Sequence, residues 1–181
     1  MIDTAGLPPD LATALEAVDP AQGDEDLLGP IAEGTMARGE RLARGQYFTP
    51  TPLVDLVLSF CLRDAGARVL DPACGSGAFL VRSFARKRTL GPDRSAARIV
   101  DELYGVDAAA VPAELARINL ASRGGEGAPA PHVEQQDFLS IPPPDSGRRP
   151  SLPRVDAVVG NPPWVQQESL PIRGSRSRPS K

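Results

Sequence analysis

The stretch RVLDPACGSGAFL, residues 68–80, decides the fold. Val69 and Leu70 form the apolar pair of a short strand over residues 68–71, and a glycine-rich turn over 73–77 follows at once. Phe79, Leu80 and Phe84 then recur at helical spacing, so the turn joins a strand to a helix. Gly75 and Gly77 allow positive φ angles and close approach of the backbone to a ligand. The helix start behind them presents unpaired N–H groups suited to a carboxylate or phosphate. Alone, such a turn is a weak sign of a ligand and more often only a tight strand-to-helix connection.

The same alternation continues on both sides. Downstream, Asp93 is placed to cap a helix carrying Ala96, Ile99, Val100 and Leu103, and residues 104–107 read as a second strand. Pro112 opens a helix with Leu115, Ile118 and Leu120 on its apolar face, and residues 132–135 read as a third strand. Residues 140–154, rich in proline, serine and arginine, read as a loop. Residues 156–160, with Ala157, Val158 and Val159, are the continuous apolar run of a buried parallel strand. Upstream, Thr51 and Pro52 make a helix-start pair. Leu53, Leu56, Val57, Phe60 and Cys61 follow at helical spacing, and Gly66 ends the element. Residues 1–37 form a weak helical leader: Asp10 caps a helix bearing Leu11, Ala14, Leu15 and Val18, and a second helix runs through residues 31–42. Strands alternating with helices imply an α/β domain with a parallel sheet and right-handed crossovers.

The bulk composition excludes several classes. With 181 residues and a net charge of −3, the chain holds one core and is not, as a whole, an electrostatic DNA binder. Before Arg38 only acids occur, from Asp3 to Glu33, whereas Arg173, Arg176, Arg178 and Lys181 make the end basic. Cys61 and Cys74 are too few for a disulfide framework or zinc site, and His132 has no ligand-type neighbour, so no metal is expected. No membrane span or signal peptide is legible, and a cytoplasmic location is the expectation.

Two more stretches carry chemistry. Asp107 ends the second strand, where a carboxylate can accept both ribose hydroxyls of a nucleoside cofactor or simply cap the next helix. NPPW at residues 161–164 follows the fourth strand. Pro162 and Pro163 donate no hydrogen bond, so the turn offers acceptors, the Asn161 side-chain oxygen and the Pro162 carbonyl, beside the flat face of Trp164. That combination suits a planar amine.

GQYFTP at 45–50, DPACGSG at 71–77, GVD at 105–107, QQDFL at 135–139 and GNPPW at 160–164, in this order and spacing, resemble the N6-adenine DNA methyltransferases of restriction–modification and phage-defence systems. The resemblance covers roughly residues 27–165. It implies a Rossmann-like S-adenosylmethionine-dependent fold and double-stranded DNA as partner, with the target adenine flipped out. Tyr47, Phe48 and Thr49 would cover the methionine end of S-adenosylmethionine, with Asp71, Ala73, Cys74, Gly75 and Gly77 lining the methionine and sulfonium region. Asp107 would hold the ribose, and Asp137 and Phe138 the adenine of the cofactor. Asn161, Pro162, Pro163 and Trp164 would hold the target base.

The implied organisation is a leader over residues 1–44, a partial catalytic domain over 45–165 and an unstructured basic tail over 166–181. The family pattern implies a seven-stranded sheet, of which about four strands are legible here. A gene fragment, a frameshift, or a split enzyme completed by a second chain carrying the missing strands and DNA-recognition region all fit. Such a chain is expected to be a poor enzyme alone. The alternatives are a methyltransferase of RNA adenine or guanine or of protein glutamine, and an inactive cofactor-binding remnant.

Overall fold

In the computed structural model, the residues described are 7–16, 19, 23, 26–35, 49–142 and 152–162. Two helices of the leader come first, α1 (Pro9–Glu16) and α2 (Leu28–Thr35), then α3 (Thr51–Cys61). The alternating part follows as β1 (Val69–Asp71), α4 (Ala78–Leu90), α5 (Ala96–Val100), β2 (Leu103–Asp107), α6 (Ala110–Gly124) and β3 (His132–Gln135). Among the described residues, a 3₁₀ turn (Phe138–Ser140) comes before β4 (Ala157–Val158). The four strands form one parallel sheet in the order β3-β2-β1-β4. Every strand therefore ends on the same rim. The chain reverses direction across the sheet between β3 and β4, which lie on opposite sides of the β2–β1 pair.

Parallel strands covered by helices need apolar residues on both faces. Val69, Leu70 and Asp71 are all buried, as are Leu103, Gly105 and Val106 of β2. The main core joins Val69, Leu103 and Val133 of the sheet to Leu58 of α3, Leu80 of α4 and Leu120 of α6. A second cluster seats the leader: Leu11, Leu15 and Leu28 pack against Leu115 and Ile118 of α6.

Several boundaries differ from the sequence reading, each for a local reason. Ser95, not Asp93, caps α5 by accepting from the Arg98 N–H, and Leu103 belongs to β2, where it pairs with Val69. Pro112 lies inside the first turn of α6, which begins at Ala110. Pro50 precedes α3 and Thr51 is its first residue, with no side-chain cap. The helix ends at Cys61, so Gly66 lies in a later turn, where its N–H donates to Asp64. Asp10 lies within α1, which starts at Pro9, and does not precede it. The second leader helix starts at Leu28, earlier than residue 31; residues 36–42 and Val18 lie outside the described residues, as does the tail over 166–181.

The larger correction concerns α3. Its buried residues are Val54 and Leu58, while Leu53, Leu56 and Phe60 are 50%, 51% and 66% exposed. The helix carries two apolar stripes, and spacing alone cannot say which one meets the sheet. The Arg82–Asp55 pair helps to choose: its two parallel bonds of 2.7 and 2.9 Å tie the side of α3 next to Val54 to α4.

One buried charge also braces the sheet. Lys87 of α4 is fully buried and donates to the Ala67 carbonyl at 2.5 Å and to Glu102 at 2.6 Å. Burial pulls its pKa below the usual lysine range, an effect that Glu102 opposes. Arg94 donates to the same carboxylate. Lys87 thus links the approaches to β1 and β2 from the helix that crosses them.

The orientation of α3 is directly testable. Leu58→Ala should cost about 2–5 kcal/mol of unfolding free energy, because it opens a cavity in the core. Leu56→Ala should change stability by less than about 0.5 kcal/mol. Denaturant unfolding of both variants checks this, and comparable losses in the two would reverse the assignment of the faces.

Candidate functional site

The turn after β1 is held in place from β2. Asp71 ends β1, and its Oδ1 accepts the Ala73 N–H at 3.0 Å. Cys74 N–H donates to the Val106 carbonyl and Gly77 N–H to the Cys74 carbonyl, at 2.9 and 2.8 Å. Gly75 N–H donates to Asp107 Oδ2 at 2.9 Å, and Asp107 Oδ1 accepts the Ala109 N–H at 2.9 Å. One carboxylate therefore organises both the glycine turn and the start of α6. Gly77 has φ +100, and a Cβ there would lie 3.3 Å from Ala116 of α6, so conformation and packing both require glycine. Gly75 has positive φ as well, and a Cβ on it would meet nothing within 4 Å, so the turn is open on that side.

Asp71 itself is 1% exposed. It lies beneath the turn and acts on its surroundings by charge at short range. Burial pushes its pKa up to about 7 from the ordinary 3.8, the Ala73 hydrogen bond opposes the rise, and the negative Asp107 adds to it. Burial likewise raises the Cys74 thiol well above its usual range, helped by the charges of Asp71 and Asp107. Cys74 is thus a neutral, buried residue with no nucleophilic character.

The other residues singled out in the sequence stand along the same rim. Asp137 follows β3 and caps the 3₁₀ turn by accepting the Leu139 N–H at 3.0 Å, leaving Phe138 exposed beside it. The Gln136 N–H donates to the Asp107 carbonyl at 2.9 Å, which draws this corner against β2. Asn161 follows β4, and its Nδ2 donates to Thr49 Oγ1 at 3.2 Å, joining segments 112 positions apart. Thr49 is buried and Pro162 exposed. Tyr47, Phe48, Pro163 and Trp164 lie outside the described residues.

Sequence reading passed over four residues here. Gly160 is one: a Cβ on it would fall 2.5 Å from Asp71 Oδ1, so only glycine lets the β4 end pass the buried carboxylate. The others are Asp26, Ser76 and Asn119, which form one hydrogen-bonded group behind the turn. The available signal was Asn119, a polar residue among Leu115, Ile118 and Leu120 on the apolar side of its helix.

The donor set fits S-adenosylmethionine, a ligand with two cationic groups and a ribose. Asp71 and Asp107 are close enough for the charge of one to raise the pKa of the other. Among the described residues, neither has a cationic side chain in ion-pair contact. A cation at the open side of the turn would relieve that repulsion. No group of His, Cys, Asp and Glu suited to a metal ion occurs among the described residues.

A four-stranded parallel sheet in this order, with a glycine turn after β1 and an acidic residue ending β2, defines the class as a Rossmann-like, S-adenosylmethionine-dependent methyltransferase fold. The model of the family described as N-6 DNA Methylase matches residues 23–178, and the chain belongs to that family, whose methyl donor is S-adenosylmethionine. Among curated proteins it is 33% identical over 151 residues to the type I restriction enzyme MjaIX methylase subunit of Methanocaldococcus jannaschii, covering 80% of this chain and 24% of the relative. It is 30% identical to the type II methyltransferase M.XhoI of Xanthomonas vasicola, covering 71% and 26%. Among solved structures, a modification subunit assigned to a type I restriction enzyme of Vibrio vulnificus YJ016 matches with a TM-score of 0.52 and 27% identity, over 80% of this chain and 31% of that one. A chain from a structural study of the assembly and conformational transition of the type I restriction–modification system matches with a TM-score of 0.54 and 26% identity, over 81% and 31%. The chain therefore spans about a quarter of the length of these curated relatives.

The raised pKa of Asp71 makes the stability of the fold depend on pH. Its folded value, about 7, exceeds the ordinary 3.8, so the folded state holds the proton more tightly. The stability this contributes is complete below the lower value and is lost as pH rises to the higher one. The unliganded chain should therefore lose stability through this group as pH rises across that window. Melting curves recorded from about pH 4 to about pH 8 should show the decline. Asp71→Asn should flatten it, and an unchanged pH profile in that variant would contradict the assignment.

Proposed function

We propose that this chain supplies the cofactor-binding and target-base-binding part of a site-specific DNA methyltransferase that transfers a methyl group from S-adenosylmethionine to adenine N6. The observation that carries the reading is the single rim of the parallel sheet, where Asp71 and Asp107 end β1 and β2 and Asp137 and Asn161 follow β3 and β4, in the order that family membership leads one to expect. The relatives are named as methylase subunits of restriction enzymes or as type II methyltransferases, which favours DNA over RNA or protein glutamine as the acceptor.

Each residue has a physical role in this reading. Asp107 holds the ribose while its bond to Gly75 keeps the turn open. Asp71 favours positive charge at the turn, and Ala73, Cys74, Gly75 and Gly77 give the methionine end a small, uncharged lining. Thr49, with Tyr47 and Phe48, closes over it. Asp137 accepts from the amino group of the cofactor's adenine, with Phe138 against the ring. When bound, S-adenosylmethionine supplies an electrophilic methyl group on a sulfonium centre.

The Asn161–Thr49 bond engages the donor end of the side-chain amide, which turns its carbonyl end away from Thr49. That oxygen and the Pro162 carbonyl accept the two hydrogens of the adenine amino group, and Trp164 stacks on the base. Adenine N6 is a weak nucleophile because its lone pair is delocalised into the ring. Two acceptors on its hydrogens favour the geometry in which the lone pair localises, so the residues act by positioning and electrostatics. Pro163, like Pro162, brings no N–H donor to compete for these acceptors. DNA recognition falls to a further region or a partner subunit, in keeping with the negative charge of this chain.

Two measurements test the reading. Asp107→Ala should weaken S-adenosylmethionine binding, followed by calorimetric titration, by about tenfold or more through the loss of charge-assisted hydrogen bonds. Equal affinity in the variant would remove Asp107 from the site. In a preparation completed with its recognition region, Asn161→Ala should lower methyl transfer to DNA about a hundredfold or more. Its cofactor affinity should fall far less than its turnover, because Asn161 reaches the cofactor side only through Thr49. Labelled methyl transfer followed by separation of the nucleosides reports both rate and product; label in cytosine, or turnover unchanged in the variant, would refute the proposal.

A further inference from the structure

The glycine turn is held from behind as well as from β2. Asp26 is 6% exposed and stands just before α2, where its Oδ1 accepts the N–H groups of Leu28 and Gly29 at 3.1 and 3.0 Å. Those are the first donors of that helix, so Asp26 caps it. The other oxygen, Oδ2, accepts the Ser76 hydroxyl. Asn119, with no exposed surface, spans the two: its Nδ2 donates to Asp26 Oδ1 and to the Ser76 carbonyl, both at 2.8 Å. The approach is tight, since a Cβ on Gly29 would come within 2.5 Å of both Asp26 Oδ2 and Ser76 Oγ. Arg123, one turn further along α6, donates to the Asn119 carbonyl at 2.7 Å.

Ser76 lies between Gly75 and Gly77, the two residues of the turn with positive φ. Glycines on both sides leave the backbone of the turn many conformations to lose on ordering. On one side the Gly75 N–H is held by Asp107; on the other, the Ser76 side chain and carbonyl are held by Asp26 and Asn119. These anchors come from β2, α6 and the N-terminal leader.

We propose that Asp26 is a positioning residue for the cofactor turn, and that through Ser76 it couples the order of α2 to occupancy of the S-adenosylmethionine site. The inference rests on the cofactor reading given above. Asp26 touches neither cofactor nor substrate; it acts by removing alternative conformations of residues 75–77. Because coupling between two sites is reciprocal, whatever the leader does to the turn, cofactor binding does to the leader. The N-terminal segment thereby becomes an element that senses whether the methyl donor is bound.

The decisive variant is Ser76→Ala, which removes the bridge and leaves the Asp26 cap on α2 in place. Calorimetric titration of the full 181-residue chain with S-adenosylmethionine should show about fivefold or greater weakening in Ser76→Ala. Its melting temperature should stay within a few degrees of the parent. Asp26→Ala should weaken binding as well, and the double variant should be no worse than Asp26→Ala alone, since both act through one bond. Hydrogen exchange supplies a readout that a purely structural role would not move: S-adenosylmethionine should slow exchange across residues 28–35 in the parent and not in Ser76→Ala. If the parent binds the cofactor while Ser76→Ala binds equally well, or while exchange in α2 ignores the cofactor, the coupling is overturned and the cofactor reading stands. If the parent does not bind S-adenosylmethionine, the cofactor reading falls, and this inference with it.

Discussion

The bond from the Gly75 N–H to Asp107 joins the end of β2 to the turn that leaves β1, and the candidate site is built around it. Parallel pairing of β1 with β2 sets the register that makes the bond possible, with Asp71 opposite Gly105 and the Cys74 N–H meeting the Val106 carbonyl. Gly105 matters to this approach, because a Cβ on it would come within 3.0 Å of the Cys74 sulfur and of Leu80. Asp107 reaches the turn only because the turn can come down onto the strand. On the proposed assignment, ribose recognition and loop order would depend on the same carboxylate, and a substitution there would disturb both.

Charge explains much of the rest. The rim gathers carboxylates at strand ends, one of them fully buried, without a cationic side chain in ion-pair contact with Asp71 or Asp107 among the described residues. That arrangement costs stability in the free chain and favours a ligand that brings positive charge. Lys87 resolves its burial in the opposite manner, through Glu102 and a carbonyl, and so serves the sheet. The two buried ionisable groups thus differ in whether an oppositely charged partner is built in: Lys87 has Glu102, and Asp71 has none among the described residues.

The leader adds a layer that strand-and-helix reasoning does not anticipate. Its apolar residues pack on α6, and its Asp26 enters the polar group behind the turn. An acidic, weakly periodic segment reads as surface because nothing local requires its burial. Here the Asp26 carboxylate is satisfied by two backbone N–H groups, a hydroxyl and an amide, which is what lets it be buried.

The order of strands and helices, the parallel sheet, the glycine turn, the acidic strand ends and the asparagine after β4 were legible in the residues themselves. Each depends on local chemistry: apolar periodicity, glycine's freedom at positive φ, proline's missing donor. Helix boundaries near Ser95, Ala110 and Thr51 were less legible, since several residues in each place can start a helix and packing chooses among them. Tertiary structure alone decided which stripe of α3 meets the core, because Leu53, Leu56 and Phe60 are as apolar as Val54 and Leu58. It alone brought Thr49 to Asn161, Gly160 to Asp71, and Asp26 to Ser76 and Asn119. Those contacts join positions dozens of residues apart, and no local preference records a partner that only folding of the whole sheet brings within reach.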